Sequence, residues 1–204
     1  MGPNGPDHRY MRKLLPVINK LRKKNRISLT IGGGKFVSGY FKNLKVFGLT
    51  NNQIEWIAIE LMRSNQLFLS YMLNGTPVYD MKKFSSKKLP ILSGIVPKRS
   101  TDANAALAAE KMKADIFLIL TDVKGIYDKN PRKHRSAKLL SNISFKDISK
   151  YSMKKTRPKH YGVVDPLAIR VIKRSKIRTI VFDGTDPKRI FRILKGEKVG
   201  TEIH

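Results

Sequence analysis

Three loops of the sequence carry residues that could bind or transfer a phosphate. In the first, Gly32, Gly33 and Gly34 follow a short apolar run and precede a helical pattern. Free amide groups at the start of a helix can cradle a phosphate, and glycine lets a ligand approach the backbone closely. A tight strand-to-helix turn needs the same residues, and a short glycine cluster alone is a weak signal. The glycines therefore leave a phosphate cradle and a plain turn as equal alternatives.

The second loop places two hydroxyls and a carboxylate, on Ser100, Thr101 and Asp102, at the start of an alanine-rich helical pattern. Hydroxyl groups can donate hydrogen bonds to a phosphate, and a carboxylate can hold a metal ion or orient a nucleophile. The same residue types also cap helix N-termini. On the residues alone, capping is the favoured interpretation.

The third loop, residues 121–128, follows a continuous apolar run and reads TDVKGIYD. Its backbone and the Tyr127 ring could clasp a purine. A β-turn around Gly125 and a second turn at Asn130 and Pro131 would explain the same residues without a ligand. The candidate nucleotide-binding residues of this loop are Thr121, Asp122, Gly125, Tyr127 and Asp128.

The elements that must position these loops alternate along the chain. Residue spacing and capping signals predict helices over 8–24, 34–42, 50–71, 101–112, 145–149 and 165–174, and another from Asp186. Pro16 predicts a kink or a later start in the first of them. Apolar runs predict strands at 27–31, 89–92, 115–120 and 178–182 and an edge strand at 201–203, and the run at 115–120 is typical of a strand buried on both faces.

This alternation indicates an α/β fold with a mostly parallel sheet covered on both faces. Residues 1–7 are predicted to be a flexible lead, and residues 8–204 a single domain. In such folds ligands bind outside the carboxyl ends of the strands, and the three loops fall at such ends.

Composition excludes several classes of protein. The chain contains no cysteine, which excludes disulfide frameworks and thiolate sites. Its four histidines are scattered without ligand spacing, so no metal site is expected. No apolar run is long enough to span a membrane, and the first ten residues show no signal-peptide pattern. We therefore expect a cytoplasmic protein without membrane contact.

The charge balance is strongly basic. Among 204 residues there are 42 Lys and Arg against 15 Asp and Glu, a formal net charge of +27. Self-repulsion at this charge weakens the compact state unless a polyanion neutralises it. Clusters of basic residues would bind an RNA backbone, although no motif of a known RNA-binding module is present. The candidate RNA-binding residues are Arg22, Lys23, Lys24, Arg26, Lys98, Arg99, Arg132, Lys133, Arg135, Lys154, Lys155, Arg157, Lys159, Lys173 and Arg174.

Taken together, the motifs resemble the amino-acid-kinase superfamily, and most of all the archaeal-type UMP kinases. The resemblance covers residues 8–204 and rests on GGGK at 32–35, STDA at 100–103, KAD at 113–115, the loop at 121–128 with Asn130 and Pro131, VDPLA at 164–168, KGE at 195–197 and GT at 200–201. It implies a three-layer α/β/α sandwich. It also implies that the glycine loop contacts the acceptor nucleotide, that Thr101 and Asp102 lie near the transferred phosphate, and that residues 121–128 hold the base and ribose of ATP, with Mg²⁺ present.

The sequence also departs from the family pattern. No strand with a Gly-Gly-Ser-type phosphate loop precedes the first predicted helix. Residues 36–38 read Phe-Val-Ser where an Ala-Arg pair typically follows the glycines, so an arginine for the acceptor phosphate is expected to be lost. Lys124 replaces an acid of the adenine loop, IEWI at 54–57 replaces a Thr-Arg-Ala-type segment, and IVPKR at 95–99 replaces a Gly/His-rich stretch.

Three functions fit these observations. The expected one is a catalytically degenerate, UMP-kinase-like structural component of a ribosomal subunit, which binds rRNA beside neighbouring ribosomal proteins and needs no cofactor. The alternative is an active UMP kinase, homo-oligomeric and using ATP with Mg²⁺, in which Thr101 and Asp102 serve catalysis. A nucleotide-binding regulatory module without turnover is the third. The first is expected because the departures remove phosphate-binding groups and a nucleotide kinase does not need a charge of +27.

Overall fold

A computed structural model describes Gly2, residues 5–152 and residues 164–204. The chain divides into two compact units, Met1–Ala108 and Ala109–His204. Within the described residues, no helix is both long enough and apolar enough to cross a membrane.

The first unit packs helices around a small parallel sheet. Its helices are α1 (His8–Leu21), α2 (Gly34–Leu44), α3 (Asn51–Leu73) and the start of α4 (Thr101–Met112). Strands β1 (Leu29–Thr30), β2 (Thr76–Pro77) and β3 (Pro90–Leu92) form the sheet in the order β1-β3-β2. Because β1 and β3 are parallel and Thr30 pairs with Leu92, both strands end at the same edge.

Local sequence sets the helix boundaries of this unit. The Thr50 hydroxyl accepts the Gln53 amide at 3.3 Å while the Gln53 side chain accepts the Thr50 amide at 2.9 Å, so the predicted capping box opens α3. Asp7 caps α1 by accepting the Tyr10 amide at 3.0 Å. Helix α1 continues through Pro16, so the later start that this residue allowed is wrong.

The second unit is built on a mixed four-stranded sheet. Strands β4 (Phe117–Thr121), β5 (Asn142–Ile143), β6 (Thr179–Asp183) and β7 (Thr201–Ile203) lie in the order β4-β6-β7-β5. Pairs β4–β6 and β5–β7 are parallel, and β6–β7 is antiparallel. Helices α5 (Pro166–Ser175) and α6 (Arg189–Leu194) complete the described elements of this unit, with a 3₁₀ helix at Ile148–Tyr151.

The predicted α/β class with mostly parallel strands is confirmed, but strands β2 and β5 were not predicted and several other details differ. Strand β7 lies between β6 and β5, so it is not an edge strand. Strand β4 buries Phe117 and Ile119 but leaves Leu120 40% exposed, so it is not buried on both faces. The helix predicted from Asp186 begins at Arg189, because the Asp186 carboxylate accepts the Lys188 amide and forms a turn first. The short helix predicted at 145–149 is the 3₁₀ helix at Ile148–Tyr151.

Candidate functional site

The glycine loop and the start of α4 meet at the edge where β1 and β3 end. The Ile31 amide donates to the Leu92 carbonyl at 2.9 Å, which extends the pairing of the two strands as far as the loop. A Cβ atom placed on Gly32 would lie 3.5 Å from the Thr101 hydroxyl oxygen. The structure therefore brings together two residues that the sequence separates widely, Gly32 and Thr101.

Ser100 is the residue that caps α4. Its hydroxyl accepts the Ala103 amide at 3.0 Å, and its carbonyl accepts the Asn104 amide at 3.1 Å. Capping thus accounts for Ser100, as the residue types indicated. Thr101 and Asp102 occupy the first turn of the helix, both half-buried.

A buried polar network fixes the segment that leads into α4. Gln66 of α3 donates to the carbonyls of Val78 (2.9 Å) and Ile91 (2.6 Å). The Ser93 hydroxyl donates to the Gln66 amide oxygen at 2.9 Å, and the Asn104 side chain donates to the Ser93 carbonyl at 2.8 Å. These buried hydrogen bonds tie α3, β3 and α4 together, and the Asn104 amide oxygen is left buried without a hydrogen-bond partner among the described residues. Sequence analysis missed this network, since three separate polar residues carry no local signal.

A cavity of about 460 Å³ adjoins the glycine loop. Its lining, in the described part of the chain, consists of Gly33, Gly34, Val37, Ser38, Phe41, Ala58 and Met62. These side chains are apolar or small, with a single hydroxyl and no charge. Its mostly apolar lining is typical of a small-molecule pocket and unlike a site for a free phosphate.

In the second unit, the loop at 121–128 is held by the last strand. The Ile126 amide donates to the Thr201 hydroxyl at 2.8 Å, and that hydroxyl donates to the Leu140 carbonyl at 2.6 Å. A Cβ atom on Gly125 would lie 2.6 Å from the Thr201 hydroxyl oxygen. Gly125 is therefore explained by close packing against Thr201.

The acidic residues of this loop have structural partners. Asp128 accepts the Lys138 amide at 2.8 Å, and Tyr127 forms an antiparallel bridge with Leu139. Asp122 is ion-paired with Arg132. The predicted turn at Asn130 and Pro131 is present, since the Asn130 side chain accepts the Arg132 amide at 2.9 Å. Tyr127 itself is half-buried.

Asp183 is a candidate site residue that sequence analysis missed. It ends β6 and is the register partner of Thr121, so the two lie side by side at the carboxyl edge of the second sheet. Burial raises the pKa of Asp183, but hydrogen bonds from Thr185 and Arg189 outweigh it and hold that pKa below its ordinary value. Its carboxylate is 2.5 Å from the Arg189 guanidinium. Its position at the end of a parallel strand was the available signal.

Within the described residues, no three His, Asp or Glu side chains cluster closely enough to hold a metal ion. The candidate carboxylates are those of Asp102, Asp122, Asp128 and Asp183.

Several residues of the basic clusters form hydrogen bonds or ion pairs with other groups of the protein. Arg22 donates to the Leu73 carbonyl, Arg132 pairs with Asp122, Arg174 binds both oxygens of Glu110, and Lys173 donates to the Ser149 hydroxyl at 3.2 Å. The remaining candidates that the structure describes are exposed or half-buried: Lys23, Lys24, Arg26, Lys98, Arg99, Lys133 and Arg135. Lys154, Lys155, Arg157 and Lys159 lie outside the described residues.

Comparison with known proteins defines the class. The family model described as "Amino acid kinase family" matches residues 2–183, and the chain belongs to that family. It is 32% identical to a uridylate kinase of Thermococcus onnurineus over 98% of this chain and 93% of that protein. It is 34% identical to a uridylate kinase of Methanoregula boonei over 90% of this chain and 83% of that protein. The crystal structure of uridylate kinase from Archaeoglobus fulgidus superimposes with a TM-score of 0.85 at 30% identity, covering 97% of this chain and 94% of that one.

These findings correct the function expected from the charge. The hypothesis of a degenerate, rRNA-binding ribosomal component is wrong, because the similarity to uridylate kinases runs over nearly the whole chain. The physical basis of the error is the weight given to net charge, which describes the surface and not the site. Arg132 and Arg174 form surface ion pairs with Asp122 and Glu110. The losses inferred from residues 36–38 and 95–99 do not remove the Gly32–Thr101 arrangement.

Proposed function

We propose that the protein is a uridylate kinase, which transfers the terminal phosphate of ATP to UMP. The observation that carries the proposal is the match to the Archaeoglobus fulgidus uridylate kinase over 97% of the chain. The contact geometry of Gly32 and Thr101 supports it, because a phosphotransferase needs a hydroxyl or amide donor beside an open stretch of backbone.

The first unit supplies the acceptor side of the reaction. The cavity beside Gly33 and Gly34 takes the uracil and ribose of UMP, with the Ser38 hydroxyl as its polar group. The UMP phosphate then lies against the glycine loop, where the Thr101 hydroxyl can donate to it. Asp102, in the same helical turn, orients this end of α4.

The second unit supplies the donor side. The loop at 121–128 binds the base and ribose of ATP, and Thr121 and Asp183 flank it at the end of the sheet. In the reaction, an oxygen of the UMP phosphate attacks the γ-phosphorus, the bond from that phosphorus to the bridging oxygen breaks, and ADP leaves. Little covalent chemistry falls to the protein, so these residues act by positioning and by stabilising charge.

Magnesium enters this scheme as part of the Mg–ATP substrate. In phosphotransferases the ion is held largely by nucleotide phosphates and water, with one or two carboxylates. A single carboxylate such as that of Asp102 fits this donor set, and the ion would neutralise charge that develops on the transferred phosphate.

The test is an ATP-dependent conversion of UMP to UDP by the purified chain, with Asp102→Asn and Ser100→Ala compared. We expect Asp102→Asn to lower kcat by about 10²–10³, because it removes a carboxylate that would hold the Mg²⁺ beside the transferred phosphate. Ser100→Ala should instead cost about 1 kcal/mol of stability through the lost cap and leave kcat nearly unchanged. A wild-type chain that makes no UDP would contradict the proposal.

A further inference from the structure

The acceptor cavity lacks a cation for its ligand. A nucleoside monophosphate brings a phosphate with nearly two negative charges, and burying it without a positive partner is costly. The seven residues that line the cavity are uncharged. A cation on a neighbouring segment of the first unit would supply that partner where the phosphate meets the glycine loop.

Arg99 has the position for this role. It lies two residues before Thr101, a stretch that spans at most about 7 Å, and the Thr101 hydroxyl lies against the glycine loop. The Arg99 side chain is half-buried, and its Nε atom is buried without a hydrogen-bond partner among the described residues. A buried guanidinium nitrogen without a partner is unfavourable, and a phosphate oxygen would satisfy it.

Glu55 of α3 fixes the backbone beside Arg99. Its Oε2 atom accepts the amide of Lys98 at 2.7 Å. Lys98 has a φ of +60°, a conformation that is uncommon for a residue with a Cβ atom. A charge-assisted bond to the Lys98 amide stabilises that conformation, and it fixes the direction in which the chain enters Arg99 and Ser100.

We propose that Arg99 binds the phosphate of the acceptor nucleotide, and that Glu55 is a positioning residue that acts through the Lys98 amide. The proposal rests on the proposed function and names a residue of the same site. Arg99 provides the positive charge that the cavity lining lacks, and Glu55 keeps the loop in the conformation that presents it.

The experiment compares binding of UMP and of uridine, by calorimetry, to wild-type protein and to Arg99→Ala. UMP should bind about tenfold to a hundredfold more weakly to the variant, which is the range for a lost charge-assisted hydrogen bond. Uridine should bind equally to both, since it has no phosphate. In the kinase assay, KM for UMP should rise by the same factor, with a smaller change in kcat.

Arg26→Ala is the matched control, because it removes the same charge from an exposed site in the same unit. Glu55→Ala should weaken UMP binding as Arg99→Ala does, Glu55→Gln should restore most of it by accepting the same amide, and Glu60→Ala serves as the α3 control. Lys98→Gly should make the protein less sensitive to Glu55→Ala, because glycine adopts a positive φ without help.

The outcomes separate the two proposals. A wild-type chain that binds UMP but makes no UDP overturns the kinase and leaves Arg99 to be judged by binding alone. An active chain in which Arg99→Ala behaves like Arg26→Ala overturns the role of Arg99. Equal weakening of UMP and uridine would also overturn it, since the effect would then come from a disturbed loop. Wild-type protein that binds no UMP overturns both.

Discussion

The amide of Ile126 and the hydroxyl of Thr201 are joined by a 2.8 Å hydrogen bond that spans 75 residues of sequence. Thr201 lies on β7 and is fully buried, and its hydroxyl also donates to the Leu140 carbonyl. One side chain thus ties the loop after β4 to its return segment. This contact makes the shape of the proposed ATP loop depend on the last strand of the chain.

Replacing Thr201 by valine tests that dependence. The change keeps the shape but leaves the Ile126 amide and the Leu140 carbonyl without their partner, so we expect a loss of about 1–3 kcal/mol of unfolding free energy. Urea denaturation measures it. Thr201→Ser keeps the hydroxyl and should lose clearly less. Equal losses in the two variants would show that packing, and not the hydrogen bonds, secures the loop.

Gly200 and Gly196 form a second test, because both have positive φ, of +77° and +87°. A Cβ atom on Gly200 would lie 2.2 Å from the Val181 carbonyl oxygen, whereas one on Gly196 would meet nothing within 4 Å. Gly196→Ala should cost about 1 kcal/mol of backbone strain. Gly200→Ala should add overpacking to that strain and cost about 3 kcal/mol or more. Thermal unfolding of both variants measures the difference, and similar costs would contradict the close approach of β6 and β7.

Gly32 and Gly33 should separate activity from stability. A Cβ atom on Gly32 makes ordinary contact with the Thr101 hydroxyl, while one on Gly33 would lie 2.4 Å from the Val37 Cβ. Gly32→Ala should keep the unfolding free energy within about 1 kcal/mol but lower kcat/KM for UMP, because the methyl group occupies the space beside the hydroxyl. Gly33→Ala should destabilise the fold by about 1–3 kcal/mol. Full activity of Gly32→Ala would place the acceptor phosphate elsewhere.

Two bidentate ion pairs in the second unit predict a loss of stability in acid. Hydrogen bonds from Arg174 lower the pKa of Glu110, and hydrogen bonds from Arg178 lower the pKa of Glu202. A carboxyl whose pKa is lower in the folded protein stabilises it above the unfolded pKa, about 4.3 for Glu. That contribution is lost as the pH falls through the folded pKa.

Urea midpoints measured from pH 7 down to pH 3 check this sign. The wild-type midpoint should fall below about pH 4.3, and the Glu202→Gln variant should show a shallower fall in the same window because it cannot take up the proton. Arg178→Gln removes the partner of Glu202 and should reduce the dependence of the urea midpoint on pH in the same way. An unchanged slope in both variants would mean that the Glu202 pair contributes nothing to stability.

The amino-acid sequence by itself predicted the class of the fold and most of its helices and strands, although not β2 and β5. Thr50 and Gln53, Asp165 and Pro166, and the apolar runs fix helix starts and strands locally, because capping and periodicity depend on residues a few positions apart. The three candidate loops could also be identified, since glycine, hydroxyl and carboxylate residues follow strands. The net charge favoured a wrong function, because a sum of charges does not show which basic residues form ion pairs within the protein.

Only the tertiary structure decided which of these residues meet. The approach of Gly32 to Thr101, the buried Gln66–Ser93–Asn104 network, the bond from Lys98 to Glu55 and the place of β7 inside its sheet all join residues distant in sequence. Such contacts follow from how strands pair and helices pack, and they cannot be predicted from residue types a few positions apart. The resemblance to the family was therefore present in the sequence, while the contacts between distant residues were decided by the fold.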